Sequence, residues 1–284
     1  MANWLITGCS TGIGRVIAQR ALEAGETVVV TARSLDKLED FRAYPNARLL
    51  QLDVNQPAQI EALKETLARL VPEGIDVLIN NAGYGLTGAV EEVTMDQVRA
   101  QMETNFFGLV QVTQQVLPGM RTRRRGYIVN ISSVAGLRGF RGVGIYNASK
   151  FAVTGLTEAL AQEMAPFGVR VSVVAPGPYR TDWAGRSLHK SPAMATLTAD
   201  SPYADLNQLV NTNFEKASGN QEGDPTQIAD VLISAARQAL EPNQPAPPVH
   251  MLFGDEAIRY WQDKLQRYQE ASFFDHFPHS RRAL

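Results

Sequence analysis

The chain has 284 residues, 44% of them hydrophobic and 20% charged, with a formal net charge of −2. No apolar run approaches the roughly 20 residues of a membrane span, and a chain this close to neutral lacks the basic footprint of a nucleic-acid binder. The composition is that of a soluble globular protein, and its one cysteine, Cys9, excludes an internal disulfide and points to a reducing, cytoplasmic compartment. His189, His250, His276 and His279 have no zinc-like spacing, so no metal is expected; His276 and His279 read as surface residues.

A strand pattern starts at Ala2, where a leader would need a basic head and an apolar run, so no leader is expected. NWLIT is the first strand. After the turn TGCSTGIG comes a helix over 13–24 with Ile13, Ile17, Ala21 and Leu22 on one side. The next apolar runs are ETVVVTA, ARLLQLDV, IDVLINN, GYIVNIS, VRVSVVAP and a weaker VHMLF near residue 250. Most are short and near-continuous, as expected for parallel strands buried on both faces. Between them, residues 57–70 place Ile60, Leu63, Leu67 and Leu70 at helical spacing. Residues 94–117 place Met95, Val98, Met102, Leu109, Val112 and Val116 along one stripe. The run Arg123-Arg124-Arg125 reads as a solvated turn between a helix and a strand.

The alternation predicts an α/β fold: a doubly wound, mostly parallel seven-stranded sheet with helices on both faces, in a single domain over residues 1–284. Residues 178–222 break the regularity. They carry no clear strand, several prolines and scattered large apolar groups (Trp183, Leu188, Met194, Tyr203, Leu206, Phe214), and read as a substrate lid. A helix returns at Pro225–Leu240 with Asp224 as its N-cap. EPNQPAPP is a stiff connector. The C-terminal extension, 255–284, opens with an amphipathic segment from Asp255 to about Glu270.

Strand, glycine-rich turn and helix together form a phosphate-binding device. Gly8, Gly12 and Gly14 let the backbone turn tightly and approach a pyrophosphate, the helix N-terminus offers free N–H groups, and Thr7, Ser10 and Thr11 add hydroxyls. Cys9 reads as a small filler of the loop. With NNAG at 80–83, NISS at 130–133 and YNASK at 146–150, the sequence resembles the short-chain dehydrogenase/reductase family in its shorter, NAD(P)-dependent form with a Rossmann sheet. The resemblance covers roughly residues 2–182 and, more loosely, 183–253. The glycine spacing G-x-x-x-G-x-G separates it from the longer epimerases and dehydratases, which resemble TGxxGxxG.

The resemblance implies catalytic roles for Ser133, Tyr146, Lys150 and Asn105. Tyr146 and Lys150, four apart on a helix, share a face; a neighbouring ammonium should lower the phenol pKa from its usual ~10 and make Tyr146 a general acid/base. Ser133 would hold the substrate oxygen, and Asn105 would link Lys150 through water to solvent. The bland readings are a strand-end serine capping a turn, an ordinary helix pair and an asparagine at a helix kink. Cofactor contacts are implied for Gly8, Ser10, Thr11, Gly12, Ile13, Gly14, Asp53, Val54, Asn81, Ala82, Gly83, Pro176, Gly177 and Thr181, besides Tyr146 and Lys150.

Strand two ends at Ala32, where an NAD-preferring relative carries a carboxylate; here Arg33 follows, so NADP(H) is expected. The alternative is Arg33 in solvent with Asp36 reaching back to the ribose. The expected function is hydride transfer between NADP(H) and a carbonyl/alcohol pair on a mostly hydrophobic small molecule. The competing class is a catalytically silent dinucleotide sensor or scaffold. Arg138, Arg141, Arg180 and Arg186 either bind a substrate carboxylate or stand in solvent. Residues past the last strand are expected to stay clear of the catalytic motifs. A homodimer or homotetramer is expected through the 94–117 and 149–164 helices.

Overall fold

The computed structural model describes residues 1–181, 183, 185 and 187–270. Arg186, His276 and His279 lie outside the described residues, as does the end of the C-terminal extension.

Strand β1 (Asn3–Ile6) leads through the glycine turn into helix α1 (Gly12–Glu23); β2 (Thr27–Ala32) and β3 (Ala47–Gln51) follow. Two short helices, α2 (Pro57–Glu61) and α3 (Leu63–Leu70), replace the single expected helix, and between them Ala62 tightens to ψ −10°. Ile60, Leu63 and Leu67 are buried as their spacing predicts. Then come β4 (Val77–Asn80), β5 (Gly85–Thr87), α4 (Met95–Met102), α5 (Gly108–Arg123) and β6 (Gly126–Ile131). Helix α6 (Gly144–Met164) and β7 (Val169–Pro176) complete the motif-bearing part.

All pairings in the main sheet are parallel, in the order β3-β2-β1-β4-β6-β7 with β9 (His250–Phe253) at the edge. The order reverses between β1 and β4, so a crevice opens beyond their carboxyl ends. Alternation along each strand feeds two cores. Trp4, Ile6, Val28, Val30, Val77 and Ile79 pack with α1 and α9 (Pro225–Leu240), while Leu5, Val29, Leu78 and Ile128 pack with α3, α5 and α6. Each such side chain, fully buried, contributes about 1.5–3 kcal/mol. Asp224 caps α9 as expected, its carboxylate accepting from Thr226 N at 2.9 Å.

Three expectations need correction. The 94–117 stripe is not continuous, because a π turn at Glu103–Phe107 separates α4 from α5. The extra residue rotates the stripe: Leu109, Val112 and Val116 are buried, Met95 is 58% exposed, and Gln101 and Asn105 turn inward instead. Residues 178–222 do contain a strand, β8 (Leu188–Lys190), which pairs parallel with β5 in a separate two-stranded sheet; α7 (Pro192–Thr196) and α8 (Ala204–Ala217) follow it. A three-residue strand is too short to show a period. The arginine run does turn, with Arg124 at φ 51°, but it is not simply solvated. Arg123 and Arg125 reach Asp76, Arg125 donates to Leu240 O at 2.8 Å and Arg124 to Pro166 O at 2.7 Å.

Helix α10 (Asp255–Glu270) runs as expected. Among the described residues no helix is long and apolar enough to cross a membrane, and no group of His, Cys, Asp and Glu could hold a metal.

Candidate active site

A cavity of about 870 Å³ opens at the carboxyl edge of the sheet. Its wall includes Gly8, Ser10, Thr11, Gly12, Ile13, Arg33, Asp53, Val54, Asn81, Ala82, Gly83, Ser133, Tyr146, Lys150, Pro176, Gly177 and Thr181. Of the expected site residues, Thr7, Gly14 and Asn105 stand behind the wall. A methyl at Gly14 would run into the Asn81 amide and lie 2.7 Å from Gly8 O, so the glycine there is a packing requirement. Gly8 has φ +74°, and a Cβ on it would come 2.9 Å from Ala82 Cα. Thr7 lies beneath the loop and accepts from Asn81 N and Ala82 N at 2.9 and 3.0 Å. Cys9 is fully buried, its thiol pushed up to about 12 by burial and donating to Ile6 O at 3.2 Å, which suits a filler.

The glycine turn ends at the N-terminus of α1, with Thr181 over it: a Cβ on Gly12 would meet Thr181 Cβ at 3.8 Å. The close backbone approaches, the left-handed Gly8 and Gly12, and the free helix end fit a dinucleotide. Asn55, beside Asp53, also lines the cavity, with its Oδ1 buried and unpartnered. At the end of β2, Ala32 and the exposed Arg33 line the cavity. Among the described residues the Arg33 guanidinium has no ion-pair partner, whereas Asp36 is engaged by the Ser34 hydroxyl and by Lys37 Nζ at 3.2 Å.

Tyr146 and Lys150 lie on the first turns of α6, both nine-tenths buried. Ser133 stands just past the end of β6, where its side chain acts on Tyr146 to hold the phenol pKa down, and it caps the following turn by accepting from Ala135 N at 3.1 Å. The capping reading of Ser133 therefore holds. Lys150 Nζ lies 5.8 Å from the Tyr146 ring centre and donates to Ile131 O at 2.8 Å. The expectation that the ammonium lowers the phenol pKa is overturned in the protein by itself. Burial pushes Tyr146 up to about 12, opposed only in part by Ser133, and pulls Lys150 down to about 8.

Asn105 sits in the π turn. Its Oδ1 accepts from Tyr84 N at 3.0 Å, and its Nδ2 donates to Tyr84 O and Ser149 Oγ, both at 3.0 Å. Gly83 lies between Asn105 and Lys150: a Cβ on it would meet Asn105 Oδ1 at 3.0 Å and Lys150 Nζ at 3.7 Å.

Motif reading missed part of the wall. Tyr84 stacks on His189 at 4.5 Å, the Tyr146 ring lies 5.4 Å from Trp183, and Phe140 lies 5.2 Å from Tyr260. Tyr260 and Glu256 come from α10, so the C-terminal extension does not stay clear of the site. Only the amphipathic pattern of 255–270 signalled that this helix must pack on something. Arg141 lines the cavity, Arg138 pairs with Asp263 at 3.5 Å and stacks on Tyr260, and Arg180 lies 3.9 Å from Asp224.

The family model described as short chain dehydrogenase matches residues 2–191. Oxidoreductase BOA17 of Botryotinia fuckeliana is 37% identical over 268 residues, 90% of each chain. The crystal structure of a short-chain dehydrogenase from Streptomyces avermitilis has a TM-score of 0.85 and 33% identity, covering 99% of this chain and 98% of that one. ElxO with NADP bound has a TM-score of 0.69 and 26% identity, covering 89% of this chain and 96% of that one.

The depressed Lys150 pKa has a consequence for stability. Above about 8 the folded protein gives up this proton, while the unfolded chain holds it to near its ordinary 10.5. The unfolded state binds more protons in that window, so this group makes stability rise with pH through it. Lys150→Met should remove that rise. Urea unfolding of both proteins at about pH 7.5 and about pH 9.5 checks it: the stability gap should move in favour of wild type at the higher pH.

Proposed function

The chain belongs to the short-chain dehydrogenase family, and we propose that it is an NADP(H)-dependent oxidoreductase acting on a carbonyl/alcohol pair of a mostly hydrophobic small molecule. The observation that carries this reading is the convergence of Ser133, Tyr146 and Lys150 in the wall of the cavity that also holds the glycine turn. Bound NADP(H) supplies or accepts the hydride. Tyr146, held protonated by burial, is a phenol at neutral pH, which suits donation of a proton to a carbonyl oxygen as reduction proceeds. Ser133 holds the same oxygen and sets the phenol's direction. Lys150 is anchored by the Ile131 carbonyl and stands ready to contact a ribose. Asn105 acts behind it as a positioning group and links Lys150 to solvent.

Gly8, Ser10, Thr11, Gly12 and Ile13 cradle the pyrophosphate, with Gly14 packed beneath them. Asn81, Ala82 and Gly83 would hold the ribose, Asp53 and Val54 the adenosine end, and Pro176, Gly177 and Thr181 the nicotinamide end; all of them line the cavity. Arg33, exposed in the cavity wall and free of an ion pair among the described residues, would read the 2′-phosphate. Residues 178–222 form the lid: Trp183, Val210 and Phe214 line the cavity from that side. The sealed Cys9 thiol suits a reducing, cytoplasmic setting.

Tyr146→Phe should cut turnover by on the order of 100 to 10,000-fold while cofactor affinity is retained. Steady-state assays with a good substrate, paired with a cofactor titration, check this; near-normal turnover would refute the role. Arg33→Ala should weaken NADP(H) by about 10 to 150-fold and NAD(H) much less. Combining it with Ala32→Asp should invert the preference, because a cation is removed and a like charge added. Values of kcat/KM for both cofactors decide it, and equal losses would mean that Arg33 does not read the phosphate.

We also propose a homodimer or homotetramer. Met95, Phe107 and Phe151 are 58%, 47% and 37% exposed on α4, the π turn and α6, where a second copy would cover them. Light scattering at micromolar concentration should give at least twice the chain mass, and a monomer would overturn this.

A further inference from the structure

Three aromatic rings run outward from the proton donor. Trp183 lies 5.4 Å from Tyr146, and Phe214, on α8, lies 6.0 Å from Trp183. Beyond Phe214 is a second cavity of about 290 Å³, with Leu188, Met194, Lys190 and Asn211 in its wall. At roughly 30 Å³ per water-sized group it has room for about ten. Phe214 is the one described residue that lines both cavities. The two cavities back onto the same strand: a Cβ on Gly85 would lie 2.5 Å from Trp183 Cζ2, in the wall of the first, and 2.8 Å from Leu188 Cδ1, in the wall of the second.

We propose that Phe214 is a specificity-determining residue. Its ring is the partition that closes the catalytic cavity toward the second chamber, and it limits the length of the carbonyl substrate. This rests on reading the first cavity as the site of carbonyl reduction. The substrate class is a ketone or aldehyde with one flat face on Trp183 and an alkyl arm that ends at Phe214. The chamber behind is mixed: Leu188 and Met194 supply apolar wall, and Thr87, Lys190, Asn211, Glu215 and Ser218 polar wall. There Lys190 Nζ donates to Asn211 Oδ1, and Asn211 Nδ2 donates to Glu215 Oε1 at 2.7 Å. A longer arm would extend along Leu188 and Met194 if the ring were absent, and its desolvation would then favour binding.

The test uses the full chain with NADPH and a series of acetophenones whose para-alkyl arm grows from methyl to octyl. Wild type, Phe214→Leu and Phe214→Ala are compared, each series normalised to its own methyl compound. In wild type kcat/KM should stop rising and fall once the arm reaches Phe214. In Phe214→Ala it should keep rising by about fourfold per methylene, through KM, with Phe214→Leu between the two. Calorimetric affinities for the same ketones with NADP bound should show the same divergence. A length cut-off at the same carbon in all three proteins, in kinetics or in affinity, would overturn the proposal. If no ketone is reduced by any of them, the oxidoreductase reading fails. The affinities still decide Phe214: divergence supports the partition and parallel series refute it.

Discussion

The site depends on a clamp between the ends of two neighbouring strands. Past β1, the Thr7 hydroxyl accepts from Asn81 N and Ala82 N; past β4, the Asn81 amide donates back to Thr7 O at 2.9 Å and Gly8 O at 3.0 Å. These bonds satisfy backbone groups that leave the sheet where it would otherwise strand them. They also draw two turns so close that a side chain at Gly8 or Gly14 would meet the neighbouring chain. Because the strand order reverses between β1 and β4, the helices diverge to opposite faces just beyond the clamp, and the cavity is the space they leave.

A second constraint is the cost of burying a phenol and an ammonium together. Lys150 is held by the Ile131 carbonyl, and Ser133 acts on Tyr146 against the effect of burial. Below them a polar network fixes α5 and α6 to the sheet. Asn80 Nδ2 donates to Thr113 Oγ1 and Asn130 Oδ1, both at 2.9 Å, and Asn130 Nδ2 donates to Thr157 Oγ1 at 3.0 Å. Buried groups of this kind destabilise unless paired; all the named donors here are paired, while Asn80 Oδ1 is buried without a partner, and the pairing specifies one arrangement of these helices. The π turn belongs to the same device, since it rotates Asn105 inward to hold the chain at Tyr84.

The far wall is built differently. It is formed by aromatic rings from Trp183, Phe140 and α10, and among the described residues the ion pair of Arg138 with Asp263 joins α10 to the rest. Helix α8 is held at its start by Glu92, which accepts from the Ser201 hydroxyl and from Asn207 Nδ2 at 2.8 Å, while Glu91 accepts from the Tyr203 hydroxyl at 2.6 Å. Dispersion and aromatic contact tolerate more variation than the hydrogen-bonded near wall.

By itself the sequence determined the parallel sheet and the place of the glycine turn, because short continuous apolar runs alternating with helical stripes admit few other arrangements. It also determined the candidates Ser133, Tyr146 and Lys150, since their motifs are local and follow one another in order. Asp224 and Pro225 announced their helix start for the same local reason. What it could not decide were effects that arise only when distant segments meet. The π turn conserves the stripe's composition and shifts its phase by one residue, so no period revealed Asn105 turning inward. Strand β8 has three residues and exists only because β5 lies beside it. Glu256 and Tyr260 reach the cavity from more than a hundred residues beyond Tyr146. The sign of the Tyr146 shift was also beyond the sequence: four-residue spacing places an amine nearby, but only the packed interior removes the water, and desolvation is the dominant cause of the shift.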